Sequence, residues 1–176
     1  MTGQLKEPLN NELYEAFWRK LEQSKFDLIY YQVHFNHCTT VSRIFKYTII
    51  GATSLATGAW ISWNSIPSIG ITCAITIWLL QGISAISELF PYESRKQELR
   101  EMLTELEPLY LKMENDWRSI RSLAITNQEI QSKLQQYNER QADIKRHYFK
   151  DDSLPEIEKF RTKADEKTEE YFRYFI

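Results

Sequence analysis

The hydrophobic and polar positions of this chain form three successive patterns. Residues Asn11–Arg43 carry apolar side chains at helical spacing among charged ones, which predicts an amphipathic helix. The next stretch, Tyr47–Ser87, has no Asp, Glu, Lys or Arg in 41 residues. From Leu99 onward, apolar residues recur at alternating spacings of four and three, the repeat of a coiled coil. All three patterns are helical, so the expected fold class is all-α.

The charge-free run is long enough for two membrane-spanning helices. One span needs about 20 largely apolar residues to cross roughly 30 Å of hydrocarbon. The sequence "NSIP", with Asn64 and Pro67, interrupts the run with residues that favour turns. We therefore predict spans over residues 44–63 and 67–90, joined as a transmembrane hairpin. The alternative, two buried helices of a soluble bundle, would normally show a charged face, which neither segment has.

The residues that flank the two spans predict their orientation. Arg43 and Lys46 precede the charge-free run and Arg95 and Lys96 follow the second span, whereas the connecting loop has no positive charge. Since Lys and Arg favour the cytoplasmic side, both termini are expected in the cytoplasm. The predicted domains are an amphipathic helix over 1–43, the hairpin over 44–90 and a cytoplasmic helical region over 91–176.

The heptad seam of the third region predicts an oligomerisation surface, because a two-helix hairpin offers little to cover it. The register breaks near "ITNQ", where we expect a turn, and Pro108 inside the seam predicts a kink. The predicted seam consists of Leu99, Leu103, Leu106, Tyr110, Met113, Trp117 and Ile120, followed by Ala124.

A last helix is predicted from Leu154 to about Phe172. Ser153 is a suitable N-cap, Pro155 suits the first turn and Glu156 completes a capping box. The aromatic residues at the end of this helix are too apolar to remain in water, so we expect them to dock on the coiled-coil region or on another subunit.

Charge and motifs narrow the function classes. With 22 basic and 24 acidic residues the formal net charge is −2, which does not favour nucleic acid as a partner. No phosphate-binding glycine loop, nucleophile elbow or zinc-protease motif is present, so we expect neither an enzyme nor a cofactor. His34 and Cys38 lie one helical turn apart, but two or three such ligands make a poor zinc site, and no metal is predicted.

The chemistry that remains is a pair of small or polar stripes within the spans. Such stripes allow close helix packing, or line a narrow aqueous path when several hairpins surround one axis. The interpretations of packing and pore both stay open at this point. The stripes are Thr48, Gly51, Ser54, Gly58 and Ser62 in the first span, and Gln81, Ser84 and Glu88 in the second.

The aromatic-rich approach "YYQVHFNHCTTVSRIFKY", the hairpin and the exit "ELFPYESRKQELREMLTEL" resemble the SLATT class of bacterial two-transmembrane effectors over roughly residues 15–125. This resemblance implies an inner-membrane protein of antiviral, abortive-infection defence, in which an associated sensor or signalling enzyme triggers a homo-oligomeric effector that opens a pore. The leading hypothesis is thus an oligomeric pore-forming effector in contact with membrane lipid. The main alternative is a membrane-anchored scaffold that recruits a cytoplasmic partner. A uniporter-like channel would need a ring of carboxylates in the loop, where "NSIP" has none.

Overall fold

The computed structural model describes residues 10–62, 75–78, 82, 92–149 and 154–174, and this part of the chain is all-α. The expected fold class is confirmed at that level. Contacts divide the described chain into two compact units. Unit 1 contains the residues up to His34 and from Glu98 onward, and unit 2 contains Phe35–Gln97. The helices are α1 (Asn11–Ser62), α2 (Tyr92–Arg121), α3 (Asn127–Tyr148) and α4 (Glu158–Arg173).

Helix α1 is a single helix of 52 residues. It continues through Arg43, the residue at which the predicted amphipathic helix was expected to end. The boundary between the two compact units lies nine residues before Arg43, after His34. The predicted break at Asn64 and Pro67 lies outside the described residues. The amphipathic pattern and the first predicted span therefore belong to one continuous helix.

The core of unit 1 is built around an aromatic cluster that α1 and α2 share. The ring of Trp117 lies 4.5 Å from that of Tyr14 and 5.0 Å from that of Trp18, measured between centroids. Phe17 is fully buried, and its ring is stacked with that of Trp117 at a centroid distance of 6.1 Å. Helix α4 adds Phe172, whose ring lies 5.1 Å from Trp18. Aromatic pairs at these separations add to the stabilisation that apolar burial provides.

The heptad seam of α2 is buried within the single chain. The four carboxyl-terminal seam side chains, Tyr110 to Ile120, belong to one apolar cluster with Phe17 and Leu21 of α1, Ile130 and Tyr137 of α3 and Phe172 of α4. Sequence spacing did not identify these three helices of the same chain as partners of the seam, whose role in oligomerisation stays a prediction. The other seam residues, Leu99, Leu103 and Leu106, are buried as well.

The predicted turn near "ITNQ" is confirmed. Helix α2 ends in a Schellman arrangement, in which the Leu123 N–H donates to the Ile120 carbonyl and the Ala124 N–H to that of Ser119. Leu123 adopts a left-handed conformation with φ of 56°, which costs a leucine more than a glycine. Thr126 then caps α3 in a capping box with Glu129. Pro108 lies inside α2 and does not end that helix.

The predicted start of the last helix is wrong by four residues. Helix α4 begins at Glu158, after an N-cap at Ile157 that forms no side-chain capping bond, and Ser153 lies outside the described residues. The Glu156 carboxylate pairs instead with Arg161 at 2.7 Å. The Ile157 carbonyl accepts from the N–H groups of Phe160 and Arg161 at this start of the helix. The expected docking of the final aromatic residues is seen for Phe172 in the core of unit 1.

Candidate functional site

Unit 2 presents apolar side chains that the single chain leaves uncovered. Along α1, Ile44, Tyr47 and Ile50 are each about 60% exposed or more. Every described residue from Lys46 to Gly51 is exposed, so solvent reaches each face of this part of the helix. A helix of a water-soluble bundle normally keeps its apolar stripe against a core. This segment of α1 is therefore a candidate contact surface.

The helical residues 75–78 of the same unit are exposed in the same way. Trp78 is 73% exposed and Ile75 is 56% exposed. Both belong to the charge-free run, at the middle of the second predicted span. A group of exposed large apolar residues of this kind marks an interaction site on a protein surface. Among the described residues, no helix combines the length and hydrophobicity needed to cross a membrane.

The small-residue stripe is only partly described. Thr48 and Gly51 are exposed on α1, and a Cβ atom built at Gly51 meets no described atom within 4 Å. Gly51 therefore has no close-packed neighbour among the described residues. Ser54, Gly58 and Ser62 belong to α1, but only their helical backbone is described. Gln81, Ser84 and Glu88 of the second stripe lie outside the described residues.

A charged cluster in unit 2 joins residues that precede the charge-free run to residues that follow it. The Glu93 carboxylate accepts hydrogen bonds from the Ser42 hydroxyl and the Lys96 ammonium, and the Lys46 Nζ atom lies 2.7 Å from its Oε1 atom. The hydrogen bond from Lys46, followed by those from Lys96 and Ser42, lowers the pKa of Glu93 to about 2. The carboxylate thus stays ionised and ties α1 to α2.

The two candidate metal ligands are structural in character. His34 is buried in unit 1, with its ring edge-on to Phe160 at 4.8 Å and to Tyr30 at 4.6 Å. Cys38 is a buried free thiol of unit 2, and burial raises its pKa, which disfavours the thiolate that binds metals. The described residues contain no group of three His, Cys, Asp or Glu side chains arranged to hold a metal ion.

A buried polar network in unit 1 could not be found from sequence spacing. The Asp27 carboxylate accepts from the Lys145 ammonium at 2.6 Å, from the Gln141 amide at 3.0 Å and from the Gln23 amide at 2.9 Å. Gln141 is itself buried and accepts a long hydrogen bond from the Ser24 hydroxyl. Gln141 and Lys145 are more than 110 residues away from Asp27 in the sequence, whereas Gln23 is one helical turn away. The network fixes the register of α1 against α3.

Sequence spacing also did not predict a second cluster of polar and aromatic side chains in unit 1. The Lys25 ammonium lies 3.6 Å from the ring centroid of Tyr171 and 4.7 Å from that of Tyr110. The Tyr171 hydroxyl donates to Glu114 at 2.9 Å, and the Arg118 guanidinium donates to the same carboxylate at 2.6 Å. Lys25, Tyr171, Glu114 and Arg118 line a groove of about 600 Å³ between α1, α2 and α4.

Comparison with known proteins yields no significant match to this chain, whether with protein-family models, with curated proteins or with solved structures.

Proposed function

We propose that this protein is a membrane effector whose charge-free segment enters a lipid bilayer as a helical hairpin. The observation that carries the proposal is the exposure of Ile44, Tyr47, Ile50, Ile75 and Trp78 within or beside a 41-residue run without charge. Left in water, these side chains would expose an apolar surface that favours aggregation. In a bilayer the same side chains would be buried in hydrocarbon, away from water.

The Glu93 cluster supports a hairpin in particular. Antiparallel spans bring the residue before the first span close to the residues after the second. Lys46 lies at the start of the first predicted span and Glu93 shortly after the second, and the Lys46 Nζ atom is 2.7 Å from the Glu93 Oε1 atom. The positive charges of Lys46 and Lys96 would then lie together at one interface, as the preference of Lys and Arg for the cytoplasmic side requires.

We propose further that several hairpins assemble and that their small-residue stripes line or gate a pore. Thr48 and Gly51 are exposed, and Gly51 has no close neighbour in the part of the chain that the structure describes, which supports contact of this face with a second copy. In this proposal assembly does not use the α2 seam, whose carboxyl-terminal half lies in the core of unit 1. The role in antiviral defence, with a sensor or signalling partner, rests on the SLATT resemblance of residues 15–125.

Dye leakage from liposomes containing the purified protein, combined with its oligomer mass in detergent, tests the proposal. Ser54→Leu and Gly58→Leu fill the stripe with bulky side chains and should reduce leakage strongly. The control Thr104→Leu replaces an exposed polar residue of α2 and should leave leakage unchanged.

The results of the liposome experiment distinguish a pore from a membrane-anchored scaffold. Leakage by a defined oligomer that the stripe variants reduce supports a pore. A defined oligomer in tight liposomes, with unaltered defence activity in the stripe variants, supports the scaffold instead. A protein that does not bind liposomes at all contradicts both. Survival of phage-challenged bacteria with and without the protein tests the defence role separately.

A further inference from the structure

The groove in unit 1 contains a lysine in an unusual environment. Lys25 is half-buried, and its ammonium makes cation–π contacts to Tyr171 and Tyr110. Among the described residues, its ammonium forms no hydrogen bond and no ion pair. Burial lowers the pKa of Lys25, although the charges of Glu114 and Glu107 partly oppose this effect. A partly desolvated ammonium that has no hydrogen-bonded anion gains stabilisation from an anion that binds it directly.

The tyrosines below Lys25 hold it in place without neutralising it. Burial is the main cause that raises the pKa of both Tyr110 and Tyr171, so both rings remain neutral phenols. Their ring faces attract the ammonium but leave its positive charge intact. The side of the ammonium that faces the groove is therefore available to a ligand.

The groove wall carries a net positive charge. Three cationic side chains, Lys25, Arg118 and Lys167, face two carboxylates, those of Glu114 and Glu170, which gives a formal charge of +1. Glu114 is buried, and its carboxylate is already engaged by Arg118 and Tyr171. Lys167 is exposed and forms no ion pair with another described residue. Two cations, Lys25 and Lys167, are thus open to an anion that enters the groove.

The groove also has an apolar part. Ile29 lines one wall, and the ring of Tyr174, which is 83% exposed, lines another. An exposed tyrosine ring offers a flat surface for stacking with a planar group. With a volume of about 600 Å³, the groove is large enough for a small organic molecule.

We propose that this groove binds an organic phosphate, with the phosphate group between Lys25 and Lys167 and a planar group against Tyr174. The phosphate group supplies the anionic acceptor that Lys25 lacks. The Arg118 guanidinium pairs with Glu114 and so offsets the negative charge of that carboxylate in the groove. This inference goes beyond the proposed membrane function, and because the groove lies within unit 1 it does not depend on that function.

The test is calorimetric titration of the full-length protein in detergent with phenyl phosphate, which joins both features of the ligand. Inorganic phosphate probes binding of the phosphate group alone, and phenol probes binding of the aromatic ring alone. We expect phenyl phosphate to bind more tightly than either, with an affinity that falls as salt is added. Lys25→Met keeps an unbranched apolar side chain over the tyrosines and should weaken binding roughly tenfold.

Two further variants keep the test decisive. Lys167→Gln alters an exposed side chain, so it should fold normally and weaken binding several-fold even if Lys25→Met does not fold. Lys112→Gln removes an exposed lysine of α2 outside the groove and should leave binding unchanged. Absence of phenyl phosphate binding up to about 1 mM, or equal binding to the folded Lys25→Met and Lys167→Gln variants, would overturn the proposal. Inorganic phosphate binding as tightly as phenyl phosphate would overturn the assignment of Tyr174.

Discussion

The Nζ atom of Lys46 lies 2.7 Å from the Oε1 atom of Glu93, which joins the residue immediately before the charge-free run to a residue shortly after it. The contact brings α1 and α2 together in unit 2. Each side chain is more than half exposed, so the pair acts as a positional link more than as a source of stability.

Glu93→Gln should destabilise the protein in a pH-dependent manner. The folded-state pKa of Glu93 is about 2 and its ordinary value is 4.5, so its contribution is fully present above pH 4.5 and is lost as the pH falls toward 2. At pH 7 we expect the variant to lose about 1 kcal/mol at most, because exposed pairs are screened by solvent. Urea unfolding of both proteins at several pH values measures the difference.

The control for Glu93 is Glu139→Gln, which removes an exposed carboxylate that accepts only from the Gln135 amide among the described residues. At pH 7 the Glu139→Gln variant should lose less unfolding free energy than the Glu93→Gln variant. A Glu93 variant whose destabilisation stayed the same from pH 7 to pH 2 would contradict the ionic origin of the link.

Ile75→Arg should impair membrane association. Ile75 lies near the middle of the second predicted span, where an arginine costs about 2.5–3.5 kcal/mol in membrane insertion. Flotation with liposomes measures the bound fraction, which should fall clearly below that of the wild type. Leu111→Arg is the matched control, because Leu111 is 57% exposed, much like Ile75, but lies on α2 of unit 1. Equal loss in both variants would point to general misfolding, and no loss in either would contradict a buried span.

Met113→Ala should destabilise unit 1 without changing the oligomer mass. Met113 is 1% exposed and belongs to the core that α1, α2, α3 and α4 share, so its truncation should cost about 2–5 kcal/mol. Leu111→Ala, two residues away and exposed, should cost less than about 0.5 kcal/mol. Denaturant unfolding gives the stabilities and light scattering gives the mass. A folded Met113→Ala protein with a reduced oligomer mass would restore the seam as a subunit interface.

Asp27→Ala should cost about 2–3 kcal/mol, because it leaves the ammonium of Lys145 and the buried amide of Gln141 without their acceptor. The control Asp143→Ala breaks a surface ion pair with Arg146 and should cost less than about 1 kcal/mol. Unfolding in urea at pH 7 compares the two. Equal small losses would mean that water replaces the Asp27 carboxylate without penalty.

Much of the helical layout could be predicted from local patterns. The spacing of the seam predicted the buried face of α2, and the register break predicted the turn that Leu123 and Thr126 form. Both depend on residues three or four positions apart, which neighbour each other on any helix. The start of α4 was predicted less well, since Glu156 took Arg161 as its partner in place of a capping role.

The sequence alone determined that the chain is helical, that α2 has one apolar face and that a long segment lacks charge, because these properties follow from composition and period. The tertiary structure decided what covers that apolar face: α1, α3 and α4 of the same chain supply the partners. It also decided that Asp27 meets Lys145 and that Lys25 lies over Tyr171. Such contacts join residues more than a hundred positions apart, and only the packing of whole helices brings them together.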